Sequence, residues 1–381
     1  MIKVTGKYNT ATVYAKAVEM KCEDQILQYL NHPMFADTKV RIMPDVHLAK
    51  GATVGFTATC NEYVVPSIIG VDIGCGVNAY SLGAGSTAFD KLDKYIRKRI
   101  PSGREVNPSA HEWLEETYKY VPDPRMTFDS FMKNVANISK KVEFPVGRAL
   151  GALGSLGGGN HFIEIDTDKH KGRWLLVHTG SRGFGLHVSK YHQELADKRT
   201  NKESPLKFLT GPAADNYIAD MKIAQLYARV NRALIAFQIG CDFFKLAHSK
   251  FKAVESIHNY IDFEHGIIRK GAISAQKGEQ LVIPFSMADG AIIGVGKGNA
   301  EWNYSAPHGS GRKMSRTQAK ELSMDEYRKR MKGIWSACVT ENTVDESPMA
   351  YKSARDVLDF VEETLHITHR LTPIYNFKAE E

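Results

Sequence analysis

Cysteine is scarce in this chain: five in 381 residues, at positions 22, 60, 75, 241 and 338, odd in number and with no CxxC pair. That pattern excludes a disulfide scaffold and fits a reducing compartment. No run approaches the roughly 18 apolar residues of a membrane span, and the first twenty residues lack the apolar centre of a secretory leader. A membrane-bound or secreted protein is therefore not expected. Internal repeats, low-complexity tracts and a Pro/Ser-rich linker are missing too, so no seam divides the chain. Neither sign of charge dominates: 50 Lys+Arg against 43 Asp+Glu leave +7, which permits a nucleic-acid partner without demanding one. With 43% hydrophobic and 24% charged residues, the composition supports a real core. The expectation is a single cytoplasmic globular domain, residues 1–381.

What the chain does have is chemistry at strand ends. After the apolar run Val64, Val65, Ile68, Ile69 comes Val71-Asp72-Ile73-Gly74-Cys75-Gly76, a carboxylate and a thiol three residues apart between glycines. A thiolate can bridge two cations, and the carboxylate can hold one of them. By itself the motif reads equally as a small buried cysteine. Three histidines in Gly- or Asn-rich turns tilt the balance: His161 after Gly157-Gly158-Gly159-Asn160, His178 before Thr179-Gly180-Ser181-Arg182, and His258 before Asn259. The glycine turns free backbone N–H groups to cradle phosphate, with Arg182 as a clamp, and Arg269-Lys270-Gly271 offers a further anion contact. His308, between Pro307 and Gly309-Ser310-Gly311-Arg312, suits a nucleophilic imidazole with Arg312 balancing developing charge. Asp45 and His47 read as groups standing behind a metal rather than on it.

The periodicities predict an edge strand at Ala11–Tyr14, a helix over Glu23–Leu30 and a strand over Val40–His47. Lys91 to Arg99 reads as a helix with a solvated basic face. A capping box at Ser109 and Glu112 opens a helix toward Tyr118, and Pro122, Pro124 and Pro145 punctuate the region, so 101–147 reads as a helical insertion suited to a lid. Residues 215–251 form a long helix with Ile223, Leu226, Val230, Leu234 and Phe237 as its buried stripe, Cys241 going with it. Capping boxes at Ser315/Gln318 and Ser323/Glu326 start two more helices, and Val357, Val361 and Leu365 stripe a last one that stops at Pro373.

Together, the motifs around Asp72/Cys75, His161, His178, His258, Arg269-Lys270-Gly271-Ala272 and His308 resemble the RtcB family of RNA ligases, in the family's order and across residues 40–378. The resemblance implies an α+β fold of mixed sheets with surrounding helices, and a site for two Mn²⁺ ions. Cys75 would bridge the ions, with Asp72 and His161 completing one and His178 and His258 the other. Paired divalent ions about 3.5–4 Å apart can clamp both the attacking and the leaving oxygen of a phosphoryl transfer. The resemblance also implies that His308 attacks the α-phosphate of GTP to give a histidine–GMP adduct. An RNA 2′,3′-cyclic phosphate end, opened to a 3′-phosphate, would take up the guanylyl group, and the 5′-hydroxyl of a second RNA would displace GMP. Nucleotide contacts are implied for Asn160, Phe162, Ile163, Glu164, Asn259, Pro284, Phe285, Ser286, Met287, Gly309, Ser310, Gly311, Tyr351 and Lys378, with Tyr351 stacking on the base. Phosphate or RNA contacts are implied for Arg182, Arg269, Lys270 and Arg312, and an accessory activating protein is a possible partner. The chain departs from the family where Phe285, Ala288 and Asp289 replace Gly, Gly and Thr/Ser, where Ala291 replaces a Ser at the guanine, and where Ala49 and Ser310 replace Gly and Ala. It is also on the short side for the family. The alternative class is a phosphohydrolase that acts on RNA ends or nucleotides with the same metals and has no need of His308.

Overall fold

A computed structural model describes residues 1–121, 126–248 and 252–379. In chain order its strands are β1 (Ile2–Thr5), β2 (Thr10–Val13), β3 (Val40–His47), β4 (Val54–Thr59), β5 (Gly76–Ala84), β6 (Phe162–Thr167), β7 (Gly172–Thr179), β8 (Ala253–Ile257), β9 (Asn259–Asp262), β10 (Ile267–Lys270), β11 (Ala272–Ser274), β12 (Gln280–Pro284), β13 (Ala291–Gly296), β14 (Ser305–Pro307) and β15 (Leu365–Lys378). They form a six-stranded sheet in the order β1-β2-β3-β4-β10-β9, a pair β11-β14, and a seven-stranded sheet β12-β13-β15-β6-β7-β5-β8. Only β2 and β3 run parallel among these pairings, and helices pack around the sheets, so the fold is α+β as expected.

The seven-stranded sheet curls until its edges approach, the Val282 N–H donating to Ser256 Oγ at 2.9 Å. Strand alternation sends Val77, Phe162, Leu176, Val282, Ile293 and Leu371 into the enclosed interior, while Ile163, Ile165 and Val177 face the opposite core. Because neighbouring strands are antiparallel, β5, β6 and β13 begin at the same rim where β7, β8, β12 and β15 end. The helix Gly211–Phe237 is buried on most of its circumference. Its Asn231 accepts from the Gly154 and Ser155 N–H groups and donates to the Gly180 carbonyl. The neighbouring Arg232, fully buried, donates to the Gly74 and Thr179 carbonyls and pairs with Glu255 at 3.0 Å. One helix thus fixes both glycine loops to the sheet.

Several sequence expectations need correction. The strand near Ala11 lies inside its sheet, between β1 and β3; β1 is the edge. The Ser109/Glu112 capping box does not form: the helix starts at Leu114, and it is the His111 ring nitrogen that receives the Trp113 N–H. The last helix ends at Val361, and Leu365 opens β15, whose Pro373 sits at a bulge rather than at a helix stop. Turn residues 362–364 interrupt the apolar stripe, and beyond them Leu371 faces the enclosed interior while, past the bulge, Tyr375 and Phe377 alternate into the opposite core, the spacing of a strand. Cys241 lies in a π-helical segment, Gln238–Phe243, and is only partly buried. The segment 101–147 carries the helices Leu114–Tyr118 and Phe128–Lys141, whose Leu114, Tyr118, Phe131 and Val135 join the largest core cluster. That packing anchors these helices instead of leaving them free as a lid. Pro122 and Pro124, and the end of the 215–251 helical stretch, lie outside the described residues.

Candidate active site

The shared rim of the seven-stranded sheet collects the side chains that are candidate metal ligands. Cys75 precedes β5, His161 precedes β6, His178 lies near the end of β7, and His258 follows β8. Two groups of donor atoms share the Cys75 sulfur: Cys75 with His178 and His258, and Cys75 with Asp72 and His161. The Cys75 Sγ lies 3.5 Å from His161 Nε2 and 3.3 Å from His178 Nε2. His161 Nε2 is 3.1 Å from Asp72 Oδ2, and His178 Nε2 is 3.4 Å from His258 Nε2.

Whether cations fit is decided by the other ring nitrogens. His161 Nδ1 faces the Leu156 carbonyl at 2.9 Å and His178 Nδ1 the Asn160 carbonyl at 3.1 Å, so both rings carry their hydrogen on Nδ1. Their Nε2 lone pairs then converge with a sulfur and a carboxylate, acceptor against acceptor, which a shared cation relieves. Burial, and after it the neighbouring rings, hold His178 and His258 well below the usual histidine range, so both are neutral ligands. The residues present fit two cations bridged by sulfur.

Beside this cluster stands His308, which directly follows β14, its ring centroid 4.7 Å from that of His258. Behind it Asp45, fully buried on β3, presents one carboxylate oxygen to both His308 Nδ1 at 2.5 Å and the His308 backbone N–H at 3.2 Å. With its hydrogen held on Nδ1, the imidazole offers Nε2 as a nucleophile. Sequence reasoning placed Asp45 behind a metal, whereas the structure places it behind His308.

An open cleft of about 760 Å³ runs from His308 and the metal-binding histidines to a polar far end. There Glu346 accepts from Tyr351 Oη at 2.5 Å, Lys378 Nζ at 3.1 Å, Arg312 Nη1 at 3.0 Å and Arg316 Nη2 at 2.9 Å. Burial alone would lift this carboxyl, but Lys378 and Arg316 hold it below the usual range. Also lining the cleft, Asn376 donates to Glu164 at 2.5 Å.

The comparisons with known proteins agree with this geometry. The sequence model of the family described as tRNA-splicing ligase RtcB matches residues 25–379. The RNA-splicing ligase RtcB of Escherichia coli strain K12 is 31% identical, over 95% of this chain and 95% of its own. This chain belongs to the RtcB family. The tRNA-splicing ligases RtcB of Nanoarchaeum equitans and Archaeoglobus fulgidus are 26% and 27% identical, over 96% and 87% of this chain and 93% and 86% of theirs.

Of the nucleotide contacts implied by the RtcB resemblance, Asn160, Phe162, Glu164, Pro284, Phe285, Ser286, Met287, Gly309, Ser310, Gly311, Tyr351 and Lys378 line the cleft. Two do not. Ile163 is fully buried in the core on the other side of the sheet. Asn259 donates to the Asp72 carbonyl at 3.3 Å and accepts from the Gly271 N–H at 3.1 Å, which positions the metal-binding loop.

The cations separate in the same way. Arg269 is 0% exposed and bound to Asp262, Tyr260, Ser305 and the Tyr304 carbonyl, so it is a structural residue and not an RNA contact. Arg312 lines the cleft, where it is paired with Glu346 and the Asp345 carbonyl and lies over the Tyr351 ring. Arg182 donates to the Gly103 carbonyl and Ser155 Oγ. Lys270 Nζ donates to the Ile69 carbonyl, and its buried charge acts on Asp72 and Cys75. Glu346, Arg316 and Asn376 had no signal in the sequence beyond their type. Asn376 alternates with Lys378 along β15, beyond the Pro373 at which the sequence reading ended its last helix.

Proposed function

We propose that the protein is a GTP- and Mn²⁺-dependent RNA ligase, acting in the cytoplasm as one catalytic domain in RNA repair or tRNA splicing. It would join a 2′,3′-cyclic phosphate or 3′-phosphate end to a 5′-hydroxyl end. When bound, the two ions would neutralise phosphate charge and align the attacking and leaving oxygens. His308 Nε2 forms a bond to the α-phosphorus of GTP as the bond to pyrophosphate breaks, while Asp45 accepts the hydrogen bond from Nδ1 and stabilises the positive ring. The RNA 3′-phosphate then displaces His308 from the GMP phosphorus, and the 5′-hydroxyl of the second strand displaces GMP as it loses its proton. Tyr351 supplies a stacking face for the base, and Glu164 and Lys378 its polar contacts. An accessory activating protein belongs to the same reading.

The observation that carries this proposal is the His308 ring beside His258 with a buried carboxylate behind it. A phosphohydrolase would need the metal-binding cluster but no such imidazole. The test is incubation with Mn²⁺ and α-labelled GTP, followed by joining of a cyclic-phosphate end to a 5′-hydroxyl end. A covalent GMP adduct absent in His308→Ala is expected. Phosphate release that persists in His308→Ala with no adduct in either protein would establish the hydrolase instead.

A further inference from the structure

We propose that Lys91, Lys94 and Lys98, an exposed row on the helix Phe89–Arg99, carry the RNA strand that leads away from the catalytic cleft, binding its phosphates and not its bases. The proposal rests on the reading of the protein as an RNA ligase and adds where the RNA lies. A polyanion needs cations to hold it, and those of the cleft are already engaged. Arg312, Arg316 and Lys378 are the Lys and Arg residues that line it, and each is bound to the Glu346 carboxylate. Arg182 and Lys270 are turned to backbone carbonyls, and Arg269 to Asp262. The charge that grips the strand therefore lies outside the cleft.

The helix buries Leu92, Asp93 and Ile96. Spacing of i, i+3 and i+7 sets Lys91, Lys94 and Lys98 in one row on the opposite side, and all three are exposed. At 1.5 Å per residue the row runs about 10 Å, which covers about three phosphates of one strand at about 3.4 Å of duplex axis each. An ordinary solvated face looks different. In the helix Met324–Arg330, Arg328 pairs with Asp325, and Lys329 and Arg330 pair with Glu326. The row has no such neutralisation. Asp93 is buried and engaged by Arg97 and the Tyr375 hydroxyl, and among the described residues Lys91, Lys94 and Lys98 have no ion pair. Nor does the helix dipole account for it, because Lys91 stands in the first turn, where cations are disfavoured. The far end of the helix reaches the catalytic rim. Arg97 lies over the Phe377 ring at 5.1 Å, one residue from the Lys378 of the cleft. Just past the helix, the Pro101 carbonyl receives the Leu156 N–H at 2.8 Å, and the Leu156 carbonyl in turn holds His161 Nδ1. A strand leaving the cleft over this rim meets ammonium groups for which no carboxylate competes.

The test measures binding of a fluorescent RNA hairpin with a 3′-phosphate end, across a range of salt, to the wild type and to two triple variants. One is Lys91→Ala/Lys94→Ala/Lys98→Ala, and the other places Arg at the same three positions. Losing three phosphate contacts should weaken binding of the alanine variant by about tenfold to a hundredfold at low salt. It should also lower the slope of log Kd against log salt by about 2–3. The arginine variant, which keeps the charge, should bind like the wild type. In joining, KM for the hairpin should rise in the alanine variant while kcat at saturating hairpin is kept. A dinucleotide with the same end, too short to leave the cleft, should be joined alike by both proteins. Unchanged hairpin affinity and salt slope in the alanine variant overturn the proposal. So does an equal loss for hairpin and dinucleotide, which would place the effect at the reacting end. A wild type that forms no adduct and joins neither RNA brings down the ligase reading alone, and the binding comparison still decides whether the row holds RNA. The three lysines are exposed, so misfolding is not the expected outcome, and adduct formation without RNA checks that the cleft is intact.

Discussion

Asp45 is the residue whose replacement separates nucleophilic catalysis at His308 from a merely buried histidine. One oxygen of its carboxylate receives both the ring Nδ1 at 2.5 Å and the backbone N–H of His308 at 3.2 Å, and the other oxygen has no hydrogen-bond partner among the described residues. In Asp45→Asn the amide oxygen can occupy the receiving position, with its NH₂ filling the unpartnered side. The tautomer survives and only the charge is lost. A charge-assisted hydrogen bond is about twice as strong as a neutral one, a difference of about 1–1.5 kcal/mol, so adduct formation should slow by about tenfold. Asp45→Ala removes the hold on the tautomer as well. The loss should then approach about 10³–10⁴-fold, the scale set by an orienting carboxylate behind a catalytic histidine. The assay is single-turnover transfer of labelled GMP at saturating GTP and Mn²⁺, with metal content and unfolding midpoint measured on the same samples. An Asp45→Ala protein that labels at the wild-type rate would refute the assignment of His308 Nε2 as the attacking atom.

Three further outcomes are expected. Cys75→Ser should lower bound manganese, counted by elemental analysis, and reduce adduct formation by more than the tenfold to hundredfold typical of outer-sphere changes; a protein that keeps two ions per chain would show that the sulfur is not shared. In Arg232→Met the buried Glu255 loses one of its two arginines and two carbonyls lose their donor, so denaturant unfolding should show a loss of about 3 kcal/mol, and a change near zero would count against the helix as the clamp of the two loops. With metal removed, His178 and His258 are depressed below their ordinary 6.5, so the unfolded chain binds more protons below that pH. Stability of the metal-free protein should therefore be complete above about pH 6.5 and fall as the pH drops below it, whereas a midpoint that rises on acidification would contradict the sign.

The cluster of candidate ligands was legible because each member sits at a strand end with its own local signature, and antiparallel pairing then brings those ends to one rim. Pairings made across long sequence distances were not legible. Nothing local links Asp45 to His308, 263 residues away, or Arg232 to the Gly74 carbonyl, 158 away. The helical stripe of residues 215–251 showed Ile223 and Leu234 as core, but Asn231 and Arg232 share the same helix and are buried because they satisfy loop carbonyls, a reason that hydrophobic period does not record. The glycines carried a second ambiguity. Read as phosphate cradles, two of them instead make room for side chains: a Cβ on Gly180 would lie 2.0 Å from Asp72 Oδ1, and one on Gly157 would lie 1.8 Å from Arg182 Nη1. Glycine density at this rim is therefore set at least in part by the close approach of a metal-binding carboxylate and a buried guanidinium to the backbone. Gly180→Ala should accordingly displace Asp72 and lower manganese binding while leaving His308 in place, so that metal content falls in a protein that still folds. A Gly180→Ala protein with unchanged metal content would show that the crowding is relieved elsewhere and that the glycine answers to something other than Asp72.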